Sequence, residues 1–143
     1  MKKIEYKYKY NFNIKRNIKL KMIFTKGNEI YEIGTNASCN WGLLDNADKD
    51  DIWVHLDGFP SCYVICKWNN NMSFPTKAKK KKYIQKRAKE AGRICYIRSQ
   101  NKIPDDLKEI DIIYIKCKYV KKGAIVGQAE LIKDPTTLTI EID

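Results

Sequence analysis

His55 is the only histidine in the chain, and it sits in a stretch whose residue types could do chemistry. Residues 52–56 read IWVHL. On an extended strand, alternate side chains share a face, so Trp53 and His55 stand together while Ile52, Val54 and Leu56 point the other way. An indole beside a titratable imidazole can stack a base and hydrogen-bond a 2′-hydroxyl or a phosphate. The same residues can instead serve the fold, with Trp53 filling core and His55 satisfying a backbone carbonyl. Upstream, Asn36 and Asn40 follow Gly34. Each amide both donates and accepts, and the glycine lets a backbone or phosphate come close. Asn36 equally suits a turn or a helix cap.

Two catalytic readings draw on the same residues. In a nuclease, His55 would be the base, with Asp51 and Asp57 as metal ligands. In a nucleophile arrangement, Cys62 or Cys66 would face His55 across a hairpin. Neither is supported further along the chain. No second catalytic motif follows the strand, no third group orients a Cys–His pair, and no glycine-rich phosphate loop occurs. Five cysteines stand at 39, 62, 66, 95 and 117. The odd count and irregular spacing give no disulfide framework. Without a Cys-x-x-Cys pair, and with one histidine, there is no zinc site. The cysteines read as small buried apolar side chains, Cys62 and Cys66 on one strand face. The expectation is a protein without catalytic activity, cofactor or metal.

The second chemical feature is charge. Residues 76–93, TKAKKKKYIQKRAKEAGR, carry one opposing carboxylate, Glu90. On a helix, Lys79, Lys82, Lys86 and Lys89 recur at spacings of three and four and line one face. Lys77, Lys80, Lys81, Arg87 and Arg93 add to the field. Such a stripe can follow phosphates, releasing counterions at about 0.9 log units of salt slope per contact. The bland reading is a solvated helix face. Like charges this close gain nothing for the fold. Across the chain, 28 basic residues face 17 acidic ones, for a net charge of +11. Twenty-four of the basic residues are lysines and four are arginines. Lysine is a hydrated point charge suited to phosphates, whereas arginine reads bases bidentately. The balance points to backbone or shape recognition. High Lys, Ile and Asn is also what an AT-rich genome produces. Asp45, Asp48, Asp50, Asp51 and Asp57 form a separate acidic region at 45–57, a face for a protein partner.

The elements that position these groups follow from periodicity and punctuation. The length of 143 residues suits one core. No apolar run reaches the roughly 20 residues that span a bilayer. The N-terminus lacks the apolar region of a secretory signal, so an intracellular, cytoplasmic location without a membrane partner is expected. Residues 1–18 place Tyr6, Tyr8 and Tyr10 on one face of an extended segment, an added strand. Residues 20–24 and 29–34 form a hairpin around Lys26-Gly27-Asn28. Asn36 or Ser38 caps a short helix over about 38–46. Residues 52–56 and 62–68 are strands joined by Gly58-Phe59-Pro60. A second helix covers about 76–91, with Ile84, Ala88 and Ala91 as its apolar stripe and Gly92 as its stop. Strands follow at 93–98, 111–118, 125–132 and 137–142. Many strands and two helices argue an α+β domain with a mixed or antiparallel sheet.

In this order and spacing, the segment from Ile30 to Cys66 resembles the NFACT-R family, the RNA-binding domain of NFACT proteins. Gly34 and Asn36 match that family's first turn, and Ala37, Asn40 and Leu43 the helix behind it. Asp51, Ile52, Trp53 and His55 match its Trp-x-His strand, and Pro60 and Val64 its return turn. The resemblance runs from about 20 to 142, leaving 1–18 as an extension and 19–143 as the NFACT-R-like domain. It is nearest to the short stand-alone eukaryotic members. Thr35 replaces the arginine usual in the first turn, and Ser61-Cys62-Tyr63 the usual Gly-Ser-His. The resemblance implies a non-catalytic module that binds structured RNA, tRNA or rRNA, in translation or ribosome quality control. Asn36, Asn40, Trp53 and His55 would make local contacts, and Lys79, Lys82, Lys86 and Lys89 would supply electrostatic affinity. The alternatives are a protein-interaction adaptor that keeps the fold without the RNA site, or a general polyanion binder that also accepts DNA.

Overall fold

The computed structural model describes residues 13–15 and 21–142. The hairpin forms where Gly27 takes a φ of 60°, a conformation open to glycine without steric cost. It joins β2 (Lys21–Lys26) to β3 (Glu29–Gly34), in antiparallel register from Lys26↔Glu29 to Lys21↔Gly34. A short β1 (Asn13–Lys15) pairs antiparallel with β2. The tyrosines at 6, 8 and 10 lie outside the described residues.

Helix α1 (Ala37–Asn46) follows directly, then β4 (Ile52–Leu56), β5 (Val64–Cys66) and the long helix α2 (Lys77–Arg98). The chain ends through β6 (Glu109–Lys116), β7 (Val120–Lys122), β8 (Ala129–Leu131) and β9 (Thr136–Glu141). Among the described residues, seven strands form one sheet in the order β1-β2-β3-β5-β4-β6-β9, every neighbouring pair antiparallel. β7 and β8 pair separately. The result is a single α+β domain, with two α-helices among the described residues and an antiparallel sheet, as the sequence pattern indicates.

Side-chain alternation on the central strands divides the core. Ile52, Val54, Leu56, Val64, Cys66, Ile112 and Tyr114 pack with Ala88, Ala91, Ile94 and Cys95 of α2. Trp53, Tyr63, Ile65, Ile115 and Cys117 pack on the other face, with Leu43 of α1 and residues of the β7–β8 hairpin. Each large apolar side chain so buried contributes about 1.5–3 kcal/mol. The sheet is therefore covered by α2 on one side, and by α1 and the small hairpin on the other.

Three elements differ from the sequence reading. α2 does not stop at Gly92. It runs on to Arg98, so the strand expected at 93–98 is absent and Ile94, Cys95 and Tyr96 are buried helical residues. Gly92 is a contact residue, not a terminator: a Cβ there would lie 2.6 and 2.7 Å from two Ile112 carbons. The strand expected at 125–132 is instead the second arm of the hairpin β7–β8, because Gly127 turns the chain at φ 89° and Gly123 N donates to Gln128 O at 2.8 Å. β5 is shorter than 62–68. Tyr63 lies just before it, where its carbonyl accepts from Gly34 N at 3.0 Å.

Candidate nucleic-acid interface

Asn36 is the N-cap of α1, its side chain accepting from Cys39 N at 2.8 Å. Such a cap is worth about 1 kcal/mol. Asn40, one turn on, is buried, and its Oδ1 accepts from Tyr63 N at 3.2 Å. This bond fastens α1 to the chain entering β5. It also explains Gly34, since a Cβ on that residue would lie 1.7 Å from Asn40 Oδ1. The two asparagines thus sit together, but their side-chain oxygens are committed to backbone amides.

Both asparagines line a cavity of about 300 Å³ with Gly34, Cys62 and Gly127. Arg98, Ser99 and Lys102 enter the same cavity from the far end of α2. These three were not legible as site residues. Ending the helix at 91 leaves Arg98 in a strand, and nothing in the linear sequence brings it to the Gly34 turn. The structure thereby sets two cations beside the turn in which Thr35 carries none.

Trp53 and His55 do share a face, their rings stacked at 5.6 Å and 7°. Tyr63 closes on both edge-on, at 5.4 and 6.0 Å. The Tyr63 hydroxyl donates to Gly127 O at 2.5 Å, and burial pushes its pKa up to about 12. Trp53 is 2% exposed. Its expected role in stacking a base is therefore corrected: the indole is core, covered by Tyr63, Leu43 and Ile115. His55 is half-buried, with Nδ1 2.6 Å from Leu56 O. Burial holds its pKa below the ordinary 6.5, outweighing the backbone hydrogen bonds that favour the charged form. At neutral pH it is an uncharged imidazole that donates to Leu56 O, not a cation for phosphate. Cys66 packs on the α2 side of the sheet, so the β-sheet separates its thiol from the imidazole. Burial raises that thiol to about 12.

Lys79, Lys82, Lys86 and Lys89 are exposed along one side of α2, with Arg93 lining the same shallow cleft. Arg87 does not join them. It is 2% exposed and donates to Tyr31 Oη at 2.9 Å and to the Ile30 and Lys67 carbonyls at 3.1 and 3.2 Å. It braces α2 against β3 and β5. The acidic region at 45–57 is also less of a face than its composition implies. Asp51 is fully buried. It accepts from Lys67 Nζ at 2.5 Å, Trp68 N at 2.8 Å and Asp48 N at 2.9 Å. Asp45 and Asp50 pair with Lys122 and Lys116. Among the described residues no cluster of three or more His, Cys, Asp or Glu could hold a metal ion. No helix there is long and apolar enough to cross a membrane.

No protein-family model matches the chain, and no curated protein matches it. Among solved structures, it is similar to the C-terminal part of the fibronectin/fibrinogen-binding protein of Streptococcus suis, with a TM-score of 0.57 and 20% identity. The match covers 88% of this chain and 46% of that one, so the chain spans about half the length of the structure it resembles. At this identity the likeness defines a shared fold.

Proposed function

We propose that this protein is a non-catalytic module that binds structured RNA, tRNA or rRNA, through the phosphate backbone. One contrast carries the reading. Lys21, Lys26, Lys67, Lys116 and Lys122 each pair with a carboxylate. Among the described residues, no such pair involves Lys79, Lys82, Lys86 or Lys89. Four exposed ammonium groups on one helix face repel one another and are relieved by a polyanion. The Gly34 cavity, with Arg98 and Lys102, offers a second point of contact. The likeness of the Gly34–His55 segment to NFACT-R supports RNA as the polyanion and translation or ribosome quality control as the setting.

The test is a fluorescence-anisotropy titration with tRNA, single-stranded RNA and duplex DNA at two salt concentrations. Wild type is run beside Lys79→Glu/Lys82→Glu/Lys86→Glu and Lys102→Glu. The reading expects preference for tRNA that the triple variant abolishes and Lys102→Glu weakens. Equal, weak binding to all three polyanions, collapsing at physiological salt, would overturn it. That outcome favours the second reading, a protein-interaction adaptor. The observation behind it is three exposed apolar side chains on the β7–β8 hairpin, Ile125 and Val126 at its tip and Ile132 at its base, which are 70%, 55% and 55% exposed. The similar structure belongs to a fibronectin/fibrinogen-binding protein, which agrees with protein contact.

A further inference from the structure

The apolar stripe of α2 runs Ile84, Ala88, Ala91, Cys95, at helical spacings of four, three and four. Continued backwards at the same spacing, it passes through Lys81 and Lys77, with Lys80 beside them. Positions that bury apolar side chains further along the helix therefore carry ammonium groups in its first two turns. These turns overhang the end of the sheet and roof a cavity of about 580 Å³, floored by the end of β6 and the start of β9. That volume suits a small ligand.

The cavity joins cations to aromatic faces. Trp68 and Tyr119 line it and are half-buried. Lys80 Nζ lies 5.8 Å from the centre of the Trp68 ring, and Lys133 Nζ lies 4.6 Å from that of Tyr119. Trp68 is held in place by Phe74, stacked at 6.2 Å, and by Tyr83 edge-on at 5.9 Å. Five lysines line the cavity, at 77, 80, 81, 116 and 133, against Asp50 and Asp134. Asp50 is already paired with Lys116 at 3.6 Å.

We propose that this cavity is a nucleotide pocket, in which an aromatic base lies against Trp68 and its phosphate sits among Lys77, Lys80, Lys81 and Lys133. The base takes the ring face over which Lys80 now lies, freeing that ammonium for the phosphate. Stacking on an aromatic ring is tolerant of base identity, and lysines hold phosphate without bidentate geometry. The pocket rests on its own geometry and lies at the opposite end of α2 from the Gly34 cavity. It stands or falls apart from the RNA-binding reading. The ligand chemistry is a base bearing a phosphate, either a free mononucleotide or an unpaired nucleotide of a strand.

The experiment is ¹H–¹⁵N NMR on the full chain, reading the indole signals of Trp41, Trp53 and Trp68. The titrants are adenosine 5′-monophosphate, adenosine, inorganic phosphate and a short single-stranded oligoribonucleotide. The expected result is a saturable shift of the Trp68 indole with the mononucleotide or the oligonucleotide, while buried Trp53 stays still. Adenosine and inorganic phosphate alone bind about tenfold or more weakly, since each makes half the contacts. Response to the oligonucleotide alone supports the pocket and identifies the source as a strand. Lys80→Glu/Lys133→Glu, both on the surface, loses the shift, whereas Lys79→Glu/Lys82→Glu/Lys86→Glu keeps the mononucleotide response. No Trp68 shift with any titrant, or an equal shift with inorganic phosphate alone, overturns the proposal. Neither result bears on tRNA binding through the outer stripe.

Discussion

A histidine next to a tryptophan reads as a binding pair until its surroundings are known. Here burial decides its charge. The folded His55 has a pKa below the ordinary 6.5 because desolvation disfavours the imidazolium. Between that lowered value and about 6.5, the unfolded chain takes up a proton that the native chain refuses. The contribution of His55 to stability is therefore complete above about pH 6.5. It declines as pH falls through the window and levels off below the folded pKa. Because the chain has one histidine, its ring resonance can be followed without assignment. An NMR titration should give a midpoint below 6.5, and a midpoint above it would show a charged, phosphate-competent imidazole instead. Asn40 and Asp51 teach the same lesson. Both are polar residues in the segment that reads as functional, and both are committed within the fold, Asn40 to the Tyr63 amide and Asp51 to two backbone amides and the Lys67 ammonium.

At the scale of elements, α2 carries the sharpest prediction. Glycine inside a helix is normally about 0.5–1 kcal/mol worse than alanine. Gly92→Ala should nonetheless destabilise the protein, because the new Cβ would meet Ile112 at 2.6 Å on a packed strand. Overpacking of this kind costs about 1–3 kcal/mol. Urea unfolding measures it, and in an Ile112→Ala background, where the clashing branch is gone, Gly92→Ala should cost less than it does in the wild type. A neutral or stabilising Gly92→Ala would mean that α2 and β6 are not so closely apposed. The length of α2 has a functional consequence. Ending at Arg98 and not near 91, the helix reaches from the overhanging lysines at one end of the sheet to the Gly34 cavity at the other. At about 1.5 Å per residue, the 22 residues of α2 span roughly 33 Å.

For the molecule as a whole, the charge of +11 is distributed, not uniform. Outside residues 1–19 and α2 the acidic residues outnumber the basic ones, so the positive excess lies in those two segments. The outer stripe and the overhang lie on opposite sides of the first turns of α2, so they meet different phosphates. Each phosphate contact removed should lower the salt slope of RNA binding by about 0.7–0.9. Lys79→Gln/Lys82→Gln/Lys86→Gln should accordingly lower it by about 2 to 3. If the overhang grips the same strand, adding Lys80→Gln/Lys133→Gln lowers it further. Affinities measured across a series of salt concentrations provide the check. An unchanged slope in the triple variant would remove the outer stripe from the interface.

The sequence by itself determined the α+β class, the β2–β3 hairpin, the face shared by Trp53 and His55, and the lysine stripe of α2. These depend on local periodicity and turn chemistry, which neighbouring residues set among themselves. Tertiary structure alone decided which polar groups remain available. Arg87 falls in the same lysine-rich run as Lys86, yet one is sealed against Tyr31 and the other lies in solvent. Gly92 reads as a stop only until Ile112 is seen against it. Arg98 and Lys102 reach the Gly34 turn, and Trp68 and Tyr119 reach the overhanging lysines, only through packing between segments distant in the chain. Periodicity along one segment carries no record of what another segment will cover. That is why the faces of the elements were legible in the sequence and the sites between them were not.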